Sequence, residues 1–557
     1  MSGIRVSIFS EGKELKNLPN QITHLEIQQE VNRIPFAQIT LHDGNAALRN
    51  FFLSNAAELA PGKMLSIKIA EEGGAAGADK PALFNGMICR HGIEAAAEGL
   101  NMGSYLTLEL QAQSFHMTQK PQSRVFQEMT DAQIIKQIIE EYGLISGEIT
   151  ETEVVHKEMV QYGCSDWDFL LARADLNGWW VLVRWDEEGQ EVIDVVRPDL
   201  SGEPVETFTF GMSPPVIYNF EMETDLNNQH EEFQAAGWDS ANQQMTRSVS
   251  AGGVQLMQGD LDPAELAASL GTNVATLKSA TETKEEELQT WANASMIKSR
   301  LALIRGRLST RGTDRYQLNQ PIALDGMGDH FNGETPISGI RQEVSISQGW
   351  QTSLQFGLPA EWYTLKHHLE SLPASGMLPA INGLHIGILE GYEQDQENKL
   401  LAKIRVPAVD AVEGLLWARL ASPYAGNNHG FFFRPEIGDE VVVGFFDDDP
   451  RHPVVLGSLY SAAHLPPIPD DQLKEENDAK GWISREGIKM VWDEKEPSLL
   501  LVSKGEGGDE KSNQMLLGGK EVKITDIHGN SIVMDKNGIT IKSKKAVAIS
   551  GPKVDVN

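Results

Sequence analysis

Cysteine is nearly absent: Cys89 and Cys164 are the two in 557 residues. That is too few for a disulfide framework, so both read as buried thiols of a reducing compartment. Basic charge is scarce, with 47 Lys and Arg against 79 Asp and Glu, a formal net charge of −32. A surface this acidic argues against nucleic acid or anionic membrane as a partner bound by overall charge. No apolar run reaches the roughly 18 residues of a membrane-spanning helix. The opening "MSGIRVSIFSEG" passes straight into alternating Ile4, Val6 and Ile8, which predicts cytoplasmic synthesis without a signal peptide. Chemistry-bearing motifs are missing too. There is no His-x-His and no Cys-x-x-Cys. Glycine-rich "SKGEGGDEKSN" (503–513) lacks the Gly-Lys-Ser/Thr ending of a phosphate loop and reads as a stalk loop. His367 and His368 read as exposed helix positions, His528 as a turn residue, and Trp350 and Trp417 as core. No catalytic residue, metal or cofactor is expected.

What the sequence does contain is β periodicity, interrupted by a few well-marked helices. "QITHLEIQQEV" and "SYLTLELQAQSF" alternate with period two, and "EEGGAAGADKP" is a loop between strands. In "TDAQIIKQIIEEYG", Thr130 is the N-cap with Gln133 at N3, a capping box. Ile134, Ile135, Ile138 and Ile139 form the apolar stripe, and Gly143 stops the helix. Ser165 caps a second helix that Gly178 ends, and "WWVLVRWDEEGQEVIDVV" is a hairpin. Residues 262–305 read as helical, with Asp262 as cap, Pro263 at N1, and a longer amphipathic helix after Gly271. Residues 320–357 return to strand, and the Pro/Gly-containing stretch 372–383 is a linker.

From 384 to 460, five short strand signals suit a small closed barrel of the OB type: "HIGILEGYE", "KLLAKIRVP", "LLWARLAS", "DEVVVGFF" and "HPVVLGSLY". Residues 461–481 are proline-rich and charged, an extended connector. The end of the chain is repetitive. Ile524, Ile532, Ile539, Val547 and Val554 recur at steps of seven or eight, and Met534, Ile541, Ile549 and Val556 stand two residues beyond the last four. Each repeat is a strand with an apolar pair on one face, followed by a turn. A single chain so built cannot bury its pairs. Three chains wound into a prism can, with those nine residues as the core. The expected fold is mainly β with an α+β hub, an OB barrel, and a C-terminal trimeric β-helix or prism.

The order of parts resembles the VgrG spike and hub proteins of contractile injection systems: type VI secretion, extracellular phage-tail-like particles and contractile phage tails. Three stretches carry the likeness. They are "SRVFQEMTDAQIIKQIIEEYGL" with "QYGCSDWDFLLARADLNGWW", the barrel stretch, and the repeat tail. In the barrel stretch Trp417, Arg419, Gly430, Pro435, Gly438, Glu440, Val441, Phe445, Asp449, Pro450, Pro453, Gly457 and Tyr460 fall where the family motif expects them, in structural roles.

The resemblance implies a hub with two β-barrel-like lobes over 1–371, the linker, an OB-fold over 384–460, the connector, and a spike over 482–557. It implies a homotrimer meeting a six-fold, Hcp-like tube protein and baseplate proteins. A PAAR-type tip protein would sit on Pro552, Val554, Val556 and Asn557, effector cargo would be carried, and the target envelope would be met on puncture. An extracellular particle is expected ahead of a type VI spike, and a receptor-binding tail tip or fibre is the alternative of another class. Residues 461–481 leave no room for the lysozyme some phage spikes insert there, and no toxin domain is expected after the stalk. The expected role is structural rather than enzymatic.

Overall fold

Alternating apolar residues pair into one long sheet through the first of two compact units, Met1–Ser371; the second is Leu372–Asn557. The computed structural model describes residues 4–44, 50–71, 81–95, 104–212, 214–239, 242–249, 254, 258–366, 373–394, 400–468, 474–505 and 508–555. His367 and His368 lie outside them.

In the first unit the N-terminal strands, Ile4–Ser10 to Ser104–Gln111, enclose Ile8, Leu25, Ile27, Ile39, Ile67 and Leu108. A second core holds Phe208, Leu308, Ile322, Leu324, Ile340, Leu354 and Phe356. The sheet is continuous between the two cores because Gly333–Ser345 pairs antiparallel with Ile22–Glu30, from the other end of the unit.

Two helices sit where the caps predict. Helix α1 (Asp131–Glu141) starts at Thr130, with both halves of the capping box made through Gln133. Helix α2 (Asp166–Leu176) starts at Ser165, whose hydroxyl accepts the Asp168 N–H at 3.1 Å. Their apolar faces share a core with the hairpin Trp180–Trp185 and Glu191–Val196. A polar knot ties them. Burial would raise the Asp131 carboxyl, but His156, Arg173 and Asn177 outweigh it and hold the group well below the usual carboxylate range. Arg173 donates Nε and Nη2 to the two Asp131 oxygens at 2.7 and 2.9 Å. Trp350 is core, and its ring N–H donates to Gln342 at 2.8 Å.

The expected helix over 262–305 is corrected. Helix α3 (Pro263–Leu270) ends at Gly271 as read, but Val274–Glu282 is a strand and helix α4 covers Glu285–Leu303. The strand forms because Glu232–Asp239 offers a parallel partner, and this pairing overrides local helical preference.

In the second unit, His385–Gln394, Leu400–Arg405, Leu415–Leu420, Pro453–Ser458 and Glu440–Phe445 close a five-stranded barrel in that spatial order. Its core is Leu389, Ala402, Ile404, Ala418, Val441, Val443 and Val455. Ile381, from the linker stretch, packs on this core and donates its N–H to the Asp448 carbonyl at 2.9 Å. A seven-stranded sheet follows, its first strand opening at Ala479, inside the stretch read as connector.

Candidate functional site

Seven consecutive antiparallel strands make this sheet: Ala479–Ile483, Lys489–Asp493, Ser498–Gly505, Gly508–Gly518, Val522–Thr525, Ser531–Asp535 and Gly538–Lys542. Their registers put one apolar column across it: Trp482 opposite Met490, Met490 opposite Leu501, Leu501 opposite Met515, Met515 opposite Ile524, Ile524 opposite Ile532, and Ile532 opposite Ile541. A second column runs beside it through Trp492, Leu499, Leu517, Val522, Met534 and Ile539. Side chains alternate along a strand, so both columns lie on one face. The opposite face carries Lys523, Thr525, Ser531, Val533, Thr540 and Lys542 towards the C-terminal end.

Among the described residues, nothing covers the apolar face at its C-terminal end, and Trp482 at the other end is only partly covered. Ile539 is 70% exposed, Ile541 57% and Trp482 48%. Chain reversal between strands is built by side chains. The Asp526 carboxylate, held below its usual range chiefly by the Asn530 amide, accepts the N–H groups of His528 at 2.9 Å and Asn530 at 2.8 Å. Gly529 takes the positive φ of 83° that this turn requires. His528 is an exposed turn residue here.

Five expected core residues, Ile524, Ile532, Met534, Ile539 and Ile541, share the apolar face. Val547, Ile549 and Val554 do not extend it: they are exposed and outside any strand, because among the described residues no later segment pairs with the outer edge of Gly538–Lys542. Val556 and Asn557 lie outside the described residues, and Pro552 is exposed. The stretch 503–513, read as a loop, is largely strand, with Ser503 opposite Asn513 and Gly505 opposite Gly508.

The spike was expected to begin at 482, but sequence reading assigned no face residues from Trp482 to Leu517 and did not single out the aromatic loop beside them. Phe431 and Phe433 approach Trp482 at 6.2 and 5.8 Å between ring centres, and Trp482 meets Trp492 edge-on at 5.4 Å. The run "GFFFRPE" carried that signal, since Phe431, Phe432 and Phe433 have no place inside a small barrel.

Residues of the barrel motif take local structural positions. Arg451 holds the Asp449 carboxyl down to about 2 and donates Nη2 to it at 2.6 Å. The turn runs through Pro450 to Pro453, which opens the last strand opposite Phe445. Gly438 precedes the strand Glu440–Phe445, and Gly457 pairs with Val442 beside a bulge. The Pro435 carbonyl accepts the Tyr392 hydroxyl at 2.6 Å, and Gly430 closes a short ribbon with Ala425. Trp417 is corrected: it is 40% exposed, because Leu416 and Ala418 take the inward positions of its strand. Outside the barrel, Lys403 stands over Trp417 and Arg419 over Phe446; Tyr460 is exposed.

Residues 2–345 match the model of the Alg8 N-terminal domain, and residues 386–460 match that of the type VI secretion system/phage-baseplate injector OB domain. Among curated proteins, the type VI secretion system spike protein VgrG1b of Pseudomonas aeruginosa is 22% identical over 68% of this chain and 52% of its own length. VgrG1a of the same organism is 22% identical over 73% of this chain and 63% of its own. The chain thus spans about half to under two thirds of these relatives. Among solved structures, a 43 kDa prophage tail protein from Shewanella oneidensis aligns at TM-score 0.45 and 11% identity, over 64% of this chain and 98% of that one. A Francisella PdpA-VgrG complex chain aligns at 0.41 and 12%, over 97% and 88%.

Proposed function

Because the chain belongs to the family of the Alg8 N-terminal domain and is related to the VgrG spikes, we propose that it is the trimeric central spike of a contractile injection system. The observation that carries this reading is the uncovered apolar face of the C-terminal sheet. Two columns of large side chains across seven strands need a cover of the same shape and chemistry, and two further copies supply it. Burying each such side chain fully is worth about 1.5–3 kcal/mol. Two facing sheets would also bury such columns, so the number three is taken from the likeness to the VgrG spikes; three faces meeting on an axis would close a prism.

The mechanical logic follows. Strands stack about 4.8 Å apart, so the seven span roughly 30 Å along the stack. Load applied along it is carried by the hydrogen-bond ladders within each chain and by the shared apolar core. No domain interrupts the passage from the barrel strand ending at Ser458 to the sheet starting at Ala479, which suits a member that transmits force rather than catalyses. The hub is read as meeting a six-fold, Hcp-like tube and baseplate proteins, with effector cargo and a PAAR-type cap at Pro552 to Asn557. The setting we favour is an extracellular phage-tail-like particle, with type VI secretion as the alternative; the genes flanking this one separate them. Negative-stain images of particles carrying a labelled copy test the role. A label on the central axis below the tube is expected, and a label on a lateral fibre would sink it.

A further inference from the structure

Repetition on the apolar face leaves the register between copies unspecified. From Ser498–Gly505 onward each strand carries one aliphatic pair there, Leu499 with Leu501 and Ile539 with Ile541 among them. Strand direction alternates, so a copy shifted by two strands, roughly 10 Å, matches like with like. Pairings this alike are weakly specified. The head of the sheet breaks the repeat. Its aromatic surface continues from the sheet onto a loop of the barrel: the rings of His429, Tyr424, Phe431, Trp482 and Trp492 follow one another at 5.4, 6.3, 6.2 and 5.4 Å between centres. Beside them Phe432 is 76% exposed and Phe433 72%. The loop and the first strands bound an open cavity of about 1240 Å³, lined by Phe431, Phe432 and Phe433 on one side and by Trp482, Met490 and Leu501 on the other. Arg485 pairs with Glu436 at 3.1 Å and Arg434 lies over the Tyr392 ring at 4.0 Å, so neither cation stands bare beside the cavity.

We propose that in the assembled spike this cavity is filled by the aromatic loop of the next copy, with Phe432 as the inserting ring, and that the fit sets the strand register between chains. The inference rests on the spike reading. The occupant is a second copy because Trp482, Met490 and Leu501 belong to the same face that the other copies cover, so a partner of another kind would have to displace them. Each chain carries loop and cavity side by side, so rotation about an axis in front of the sheet brings every loop to the next chain's cavity. The chemistry matches: an exposed phenyl ring meets indole, thioether and aliphatic groups, and methionine adapts its shape to an aromatic partner. The aromatic head occurs once per chain, whereas the aliphatic pairs recur. One register alone therefore seats every loop, and a shift of two strands leaves the loops in water. Burying what Phe432 leaves exposed is worth roughly tenfold in affinity per chain.

The test uses the full chain with a photoreactive benzophenone side chain at position 432, or at 433 where the larger group at 432 lowers the assembly mass. Heavy-isotope-labelled and unlabelled chains are assembled together, irradiated and digested, with mass measured in parallel. Cross-links joining the loop of one isotope to the segment Trp482–Met515 of the other are expected. Phe432→Ser should weaken assembly roughly tenfold per chain and leave the circular dichroism of the dissociated chain unchanged, since the ring is exposed there. With the benzophenone moved to position 539, F432S/F433S should spread its cross-links from Ser531–Lys542 of the other isotope to Val522–Thr525. Loop cross-links confined to one isotope, or missing that segment, in an assembly of three chains would overturn the inference and leave the spike reading intact. So would parental affinity of Phe432→Ser, or an unchanged pattern from position 539 in the double variant. A monomeric parent overturns the reading on which the inference stands.

Discussion

Replacing Ile541 with Asp probes the shared core at one defined point. Ile541 stands opposite Ile532 on the apolar face and keeps 57% of its surface exposed in the single chain. About half of the ~1.5–3 kcal/mol for burying such a side chain is therefore released on assembly, roughly 1 kcal/mol per chain. An aspartate there faces a larger cost. In an apolar core its carboxylate sheds the charge, and protonating an acid of pKa near 3.9 at pH 7 costs about 4 kcal/mol. Across three chains the two terms reach about 15 kcal/mol; even a third of that weakens assembly on the order of a thousandfold. Sedimentation of Ile541→Asp at micromolar concentration should show free chains. Lys542→Asp, on the opposite face, should assemble as the parent does. Acid should reverse the defect: the introduced carboxyl's pKa is raised by assembly, so its penalty is complete above the raised value, shrinks as pH falls towards the ordinary value and is absent below that. Equal behaviour of the two variants, or no recovery near pH 3, would refute the register and the burial argument together.

Two further outcomes follow. Asp131→Ala leaves the largely buried Arg173 guanidinium with only the longer Glu287 ion pair at 3.7 Å and should cost about 3 kcal/mol, read as a lower urea midpoint of the hub transition. Because the Asp131 pKa is depressed on folding, its contribution is present above the ordinary carboxylate range and is lost as pH falls below it, so parent and variant should converge in acid. A chain ended at Ser550 should keep the parental mass, since all seven paired strands survive, while losing its tip protein in co-purification.

Local signals were legible where one residue type decides the outcome. Thr130, Ser165 and Asp262 mark helix starts because their side chains satisfy backbone N–H groups that nothing else reaches. The barrel strands were legible because alternation and turn residues agree. The pairs Ile532/Met534 and Ile539/Ile541 were legible because, Val533 apart, their strands are polar on the other face. Higher in the sheet, Leu499, Leu500 and Leu501 are apolar on both faces, so period two is hidden and register alone assigns Leu499 and Leu501 to the shared side. Strand Val274–Glu282 was illegible for a different reason: its partner Glu232–Asp239 is remote in sequence, and a parallel pairing leaves no hairpin signature. Trp417 was read as core, when the small Ala418 beside it marks the inward parity.

The central claim is that the apolar face closes against two other copies. Light scattering coupled to size exclusion measures this directly on the purified full chain. A mass three times 61.3 kDa is predicted, independent of dilution through the micromolar range; a stable particle of 61.3 kDa there would contradict the account.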